Sequence, residues 1–139
     1  MSMALNVDKY ILGVCSGAHI MPPLTAMITG RTGGVSTRAW FPAEHTGFQG
    51  HFPGNALLPG FLHIELVLDI LRIYFKDLEL TAVPSAKYVL PILPDQIVDV
   101  NIKVASDEGI AAQLQVAGVV VSVLDLTVSG MAGGTDQKS

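Results

Sequence analysis

The segment from Gly60 to Lys76 runs without a breaker and is apolar on nearly every side: Phe61, Leu62, Ile64, Leu66, Val67, Leu68, Ile70, Leu71, Ile73, Tyr74 and Phe75. An α-helix of that composition must be enclosed, because no single flat layer covers all of its faces. The chain has only 139 residues, enough for one domain and one core. The rest of the sequence therefore has to wrap this helix. Its polar residues Glu65, Asp69, Arg72 and Lys76 are spaced 4, 3 and 4 apart, which predicts one narrow solvated stripe. His63 projects to the opposite side. At about 1.5 Å per residue the helix is expected to be roughly 25 Å long.

What remains reads as β. From Gln96 to Val104 the pattern alternates, with Val98, Val100, Ile102 and Val104 on one face and Asp99, Asn101 and Lys103 on the other. A turn at Ser106–Gly109 leads to a strand from Ile110 to Val116. Ala117-Gly118 makes a tight reversal into a strand from Val119 to Val128, expected to be buried on both faces in its first half. Lys87 to Leu90 predicts a short strand ended by Pro91 and Pro94. Upstream, Leu24–Ile28 and Val35–Ala43 predict a hairpin about a turn at Arg31–Gly34, with Pro42 weakening its end. Strands, one long helix, then consecutive antiparallel strands give an α+β layout: a curved sheet around a buried helix. One domain over residues 1–129 is expected, with a loose tail over 130–139.

Composition narrows the function classes. Half of the residues are apolar and 14% are charged, against a usual share of about 25%. Mean hydropathy is +0.48, so a folded chain that hides further apolar surface by self-association is expected, at least a homodimer. The formal net charge is −4 and the eight Lys and Arg are scattered, which argues against nucleic acid as a partner. Cys15 is the only cysteine, excluding an intrachain disulfide and a thiolate zinc site. His45, His51 and His63 stand at spacings of 6 and 12 that match no metal-ligand pattern, so no metal is expected. The apolar stretch from Tyr10 to Ile28 is interrupted by His19 and Pro22-Pro23 with no basic segment before it. It is read as neither a signal peptide nor a membrane span, and a soluble cytoplasmic protein is expected.

Chemistry concentrates in one stretch. FQGHFPGNALLPG, from Phe48 to Gly60, holds three glycines and two prolines in thirteen residues; so irregular a loop in a compact domain usually has a function. His51 sits in a Gly-His-Phe-Pro-Gly setting, and Glu65 follows in the second turn of the helix. Pro59 and Gly60 begin that helix, so its unpaired N–H groups point outward. A neutral imidazole, a carboxyl in apolar surroundings and donors aimed at an oxyanion can together remove a proton beside a carbonyl. On spacing alone the same residues also fit plain structural roles: a hydrogen-bonded loop histidine and the edge of a solvated stripe.

The segment FQGHFPGNALLPGFLHIE, Phe48 to Glu65, resembles the signature of the β-hydroxyacyl-thioester dehydratases, members of the hotdog-fold superfamily. Weaker likeness extends to Lys87-Tyr88, Pro91–Gln96 and the Val116–Gly118 reversal. The resemblance implies a long helix wrapped by an antiparallel sheet and a tight dimer, with trimers of dimers as a further assembly. It implies two sites, each joining His51 of one protomer to Glu65 of the other. His51 would take the C2 proton of a 3-hydroxyacyl thioester, the Gly60 N–H would polarise the thioester carbonyl, and Glu65 would protonate the departing hydroxyl. Phe52, Pro59, Phe61 and Tyr88 would line the substrate. No cofactor is implied, and the thioester would be carried by acyl carrier protein or coenzyme A. Several positions depart from the family pattern: Leu58 before Pro59-Gly60, Ala56, Asp69 where Gln is usual, and Val89-Leu90 where basic residues are common. Asp69 puts a second carboxylate one turn from Glu65, and the thin basic rim weakens docking of an acidic carrier protein. A thioesterase or a non-catalytic acyl-binding module are the other readings the sequence leaves open. His63 is expected to pack in the core or at the dimer contact.

Overall fold

The computed structural model describes residues 11–12, 16–29, 32–45, 48, 58–106 and 108–131. Seven antiparallel strands form one curved sheet in the order β1-β2-β3-β5-β6-β7-β4, and a single long helix lies in its concave side. The strands are β1 (Ile11–Leu12), β2 (His19–Thr29), β3 (Thr32–Trp40), β4 (Glu79–Tyr88), β5 (Val98–Val104), β6 (Gly109–Val116) and β7 (Val119–Ser129). The helix α1 spans Gly60–Arg72. This is the enclosed-helix α+β layout that the apolar segment demands.

The clearest sequence pattern gives the clearest strand. In β5, Val98, Val100, Ile102 and Val104 are buried against the helix while Asn101 and Lys103 are exposed. β6 and β7 follow as expected, joined by Ala117 and Gly118, both at positive φ, the conformation that matches the twist of a two-residue hairpin. The first half of β7 is not buried on both faces: Val121 and Ser122 are buried, but Val119 and Val123 are exposed. The helix covers only one side of the sheet, so alternate residues of β7 keep a free face.

Two elements are longer than their local pattern indicates. The hairpin β2–β3 starts at His19 and passes through Pro22-Pro23, because the register shifts between Met21 and Thr25 and spares those residues from ladder pairing. β4 begins at Glu79 rather than Lys87. It is the last strand of the sheet and is exposed on both faces, so it carries no alternation to read. Pro84 is accommodated at a register shift between Ala82 and Ser85, an edge-strand position that needs no donated hydrogen bond.

The helix is shorter than expected, about 20 Å at 1.5 Å per residue. After Arg72 the chain tightens: Tyr74 N–H donates to Leu71 O at 3.0 Å and Phe75 N–H to the same oxygen at 2.9 Å. The Arg72 Nε–H donates to Leu78 O at 3.0 Å, which turns the chain so that Phe75 and Leu78 are buried. Lys76 thus lies beyond the helix. The solvated stripe is also corrected at Asp69, which is buried. Its Oδ2 accepts the Ser16 N–H at 2.7 Å and its Oδ1 lies 3.9 Å from Arg72. The Ser16 carbonyl in turn accepts from His45 Nε2 at 2.5 Å. Asp69 therefore ties the segment before β2, and through it His45, to the helix.

At the end of β7, Gly130 has φ +96 and a Cβ there would overlap the Asp77 carbonyl, while Met131 is fully buried. Residues 132–139 of the expected tail lie outside the described residues. Gly118 shares the left-handed backbone, φ +82, but a Cβ there meets nothing within 4 Å. Gly118→Ala is expected to cost the backbone penalty alone, about 1–2 kcal/mol. Gly130→Ala should cost more, since the Asp77 backbone must also move. Urea midpoints of the two variants check that order.

Candidate active site at the helix N-terminus

The helix begins abruptly. Pro59 is the N-cap residue in extended conformation, φ −60 and ψ 145, and no side chain caps the end. The Leu62 N–H donates to Pro59 O at 3.1 Å, which leaves the earlier N–H groups directed outward as the positive end of the helix dipole. Leu58 N–H donates to Ile92 O at 3.0 Å, so the chain entering the helix is pinned to the loop after β4. That loop is held in turn by Val89 and Leu90, whose N–H groups both donate to Val121 O, and by the Asp95 N–H on Phe41 O at 2.8 Å.

Beside these contacts lies an open cavity of about 330 Å³ lined by Leu58, Gly60, His63, Tyr88, Val89, Leu90 and Pro91. Most of its walls are apolar. The absence of a side chain at Gly60 is used: a Cβ there would stand 2.7 Å from the end of the Tyr88 ring. The hydroxyl end of Tyr88 thus lies over the first residue of the helix. Tyr88 itself is 45% exposed, and burial of the rest pushes its phenol up from the ordinary value.

The polar floor is one that sequence reasoning did not assign to the site. His63 is 2% exposed, its Nδ1 lies 2.9 Å from Ser122 Oγ, and its ring meets Tyr88 edge-on with centroids 5.0 Å apart. Ser122 and Tyr88 are directly opposed across β7 and β4, so both reach the helix at the same level. Burial lowers the His63 pKa to about 4, and the imidazole is neutral at ordinary pH. The expectation that His63 packs inside the core fits, but its partner was hidden. The available signal was Ser122, the one hydroxyl in the apolar run Val119–Leu124, which requires a partner once buried.

The expected site residues divide into three groups. Pro59, Gly60 and Tyr88 gather at the helix N-terminus around the cavity. Glu65 is half-buried and Phe61 is 62% exposed; neither lines it, since at 100° per residue Glu65 points about 200° around the helix from His63. His51 and Phe52 lie outside the described residues. Asp69, expected to place a second carboxylate in the site, instead serves Ser16 and Arg72 on the buried side.

The buried imidazole makes stability depend on pH in a defined direction. Its folded pKa lies below the unfolded value of 6.5, so the unfolded chain takes up the proton first as the solution is acidified. The stability from this group is complete above about pH 6.5 and is lost as the pH falls toward 4, by up to about 3 kcal/mol across that window. Urea unfolding at stepped pH should show this slope, and His63→Leu should remove that part of it.

Comparison with known proteins agrees with this architecture. Residues 28–122 match the ApeI-like family, described as ApeI dehydratase. The 3-hydroxyacyl-(acyl-carrier-protein) dehydratase FabZ of Haemophilus influenzae (strain PittEE) is 35% identical over 82 residues, covering 52% of this chain and 55% of the relative. The FabZ of Lactiplantibacillus plantarum is 29% identical over 103 residues, covering 66% and 69%. The chain thus spans about half the length of the Haemophilus relative. Among solved structures, an uncharacterized protein from Erwinia carotovora subsp. atroseptica superposes with TM-score 0.69 at 17% identity, covering 80% of this chain and 94% of that one. The dehydratase heterocomplex ApeI:P from Xenorhabdus doucetiae gives 0.62 at 15%, covering 78% and 98%. The fold is the hotdog, a curved antiparallel sheet about one helix, and the match across residues 28–122 makes this chain a member of the ApeI-like dehydratase family.

Proposed function

We propose that the protein is a 3-hydroxyacyl-thioester dehydratase, converting a 3-hydroxyacyl group carried on acyl carrier protein or coenzyme A to the 2-enoyl thioester in fatty acid or related lipid synthesis. The observation that carries this reading is the uncapped helix N-terminus at Gly60, opening on an otherwise apolar cavity. Family membership supports it, as does the name of the Haemophilus and Lactiplantibacillus relatives.

In this mechanism the thioester carbonyl points at the Gly60 N–H. His51 takes the C2 proton, and the electron pair moves onto the carbonyl oxygen, where the helix N-terminus meets the developing charge without reorganisation. The pair returns to form the C2–C3 double bond as the C3–O bond breaks, and Glu65 gives its proton to the departing hydroxyl. Water leaves, and proton transfer from His51 to Glu65 resets the pair. Apolar walls exclude competing water, Pro59 shapes the mouth, and Phe52, Phe61 and Tyr88 flank the acyl chain.

A homodimer completes the site in this reading. β4 is the longer of the two edge strands of the sheet, the other being β1, and Val83, Tyr88, Val89, Leu90 and Phe61 are exposed. Pairing two β4 strands closes an edge otherwise open to aggregation. It also covers Phe61 and sets Glu65 against His51 of the partner subunit. Trimers of dimers are a further assembly in this reading. Among the described residues no helix is long and apolar enough to cross a membrane, and we place this single hotdog domain in the cytoplasm with its carrier.

Incubation with short and long 3-hydroxyacyl thioesters on both carriers should yield enoyl thioester by mass, with no free thiol. Thiol release would instead identify a thioesterase. His51→Ala should abolish turnover and Glu65→Gln should lower it on the order of 10²–10⁴-fold. Co-expressing the two variants should restore activity, because one site of the mixed dimer then holds both native groups; failure of this complementation removes the shared site.

A further inference from the structure

The buried pair His63 and Ser122 borders the same cavity through the His63 ring and takes no part in the mechanism above. Ser122 is fully buried, and among the described residues its hydroxyl has one hydrogen-bond partner, His63 Nδ1. A buried hydroxyl with a single partner is better used as a donor: an unsatisfied O–H costs more than an acceptor with a spare lone pair. Ser122 O–H therefore donates to Nδ1, and the one proton of the neutral imidazole is on Nε2. Among the described residues that Nε2–H has no hydrogen-bond partner; the imidazole and the Tyr88 ring stand edge to face with centroids 5.0 Å apart.

Its position is specific. Gly60 and His63 are three residues apart, so they share a helix face about 4.5 Å apart along the axis. Helical side chains lean toward the helix N-terminus, which carries the imidazole back over the turn that begins at Gly60. Both residues line the cavity. The cavity thus has two neutral N–H groups near one another, one from backbone and one from side chain, amid Leu58, Val89, Leu90 and Pro91. A carbonyl oxygen that becomes negative during reaction has two lone pairs and is the group that two such donors fit.

We propose that His63 is a second donor to the thioester carbonyl oxygen: Ser122 fixes its tautomer and Nε2–H acts beside the Gly60 N–H. This rests on the dehydratase reading and adds to it a catalytic residue from the protomer that supplies Gly60, the Glu65 of that site coming from the other protomer. When the C2 proton leaves, the electron pair collects on an oxygen held by both donors. When the C3–O bond breaks, the pair returns, so neither donor gives up its proton. A neutral imidazole suits this role, since an imidazolium in the same place would surrender the proton rather than share it.

The test joins kinetics with spectroscopy on the full chain. Removing one oxyanion donor costs on the order of 10²–10³-fold in kcat, so His63→Leu should lose that factor in hydrating a 2-enoyl thioester with a smaller change in KM. His63→Gln, which can accept from Ser122 and still donate, should recover part of it. A folded His63→Leu variant within threefold of wild type, or a loss carried wholly in KM, overturns the proposal. Should His63→Leu fail to fold, nitrogen-15 histidine NMR of the wild-type protein decides. The His63 signals should report the Nε2–H tautomer, and Nε2 should shift on addition of hexanoyl or decanoyl coenzyme A. The Nδ1–H tautomer, or a resonance unmoved at millimolar thioester, overturns it. Wild-type turnover with an indifferent His63 sinks this inference alone, whereas a responsive His63 without any dehydration sinks the parent reading.

Discussion

A helix that is apolar on almost all sides is the constraint from which the rest of this molecule follows. Leu62, Leu66, Val67 and Leu68 are buried, and at 100° per residue they spread over about 240° around the axis. No flat sheet reaches them all. The sheet has to curl, and β5, β6 and β7 supply Val98, Val100, Leu114, Leu124 and Leu126 to the inner side. Burial of this kind contributes about 1.5–3 kcal/mol for each large aliphatic side chain, enough to outweigh the weak local preference of strands such as β4.

Enclosing a helix raises a second problem, because any polar group on it must find a partner inside. The two that are deeply buried are resolved on separate sides. Asp69 accepts a backbone N–H from Ser16 and draws that turn onto the helix. Gly17, at φ +74, leaves room there for the His45 ring, and Phe41 and Phe48 stand edge-on to it. This chain of contacts ties Phe41, His45 and Phe48 to the helix. His63 meets Ser122 on the side of β7 and β4. One group anchors the scaffold, and the other gives polarity to the cavity at the helix end.

The parts of the fold that were legible are those where one residue's environment is set by its immediate neighbours. β5 alternates because one face meets the helix and the other meets solvent, and Ala117-Gly118 reverses because its backbone conformation is local. The helix start at Pro59-Gly60 and its candidate role were legible for the same reason. β4 was not, since an edge strand exposed on both faces has no periodic signature. The buried state of Asp69 was equally hidden: its partner is the backbone of Ser16, 53 residues away, and a backbone donor leaves no mark in sequence.

By itself the sequence determined that a greasy helix would be wrapped in antiparallel strands, and that a glycine would stand at its uncapped N-terminus. Both depend on side-chain pattern and local backbone freedom, which are properties of short stretches. Only the tertiary structure decided what faces that glycine. Tyr88 lies over it, Ser122 holds His63 behind it, and the loop after β4 forms one wall of the cavity. These groups come from three distant elements, and their meeting depends on strand order and register, which are set by packing of the whole chain rather than by any segment within it.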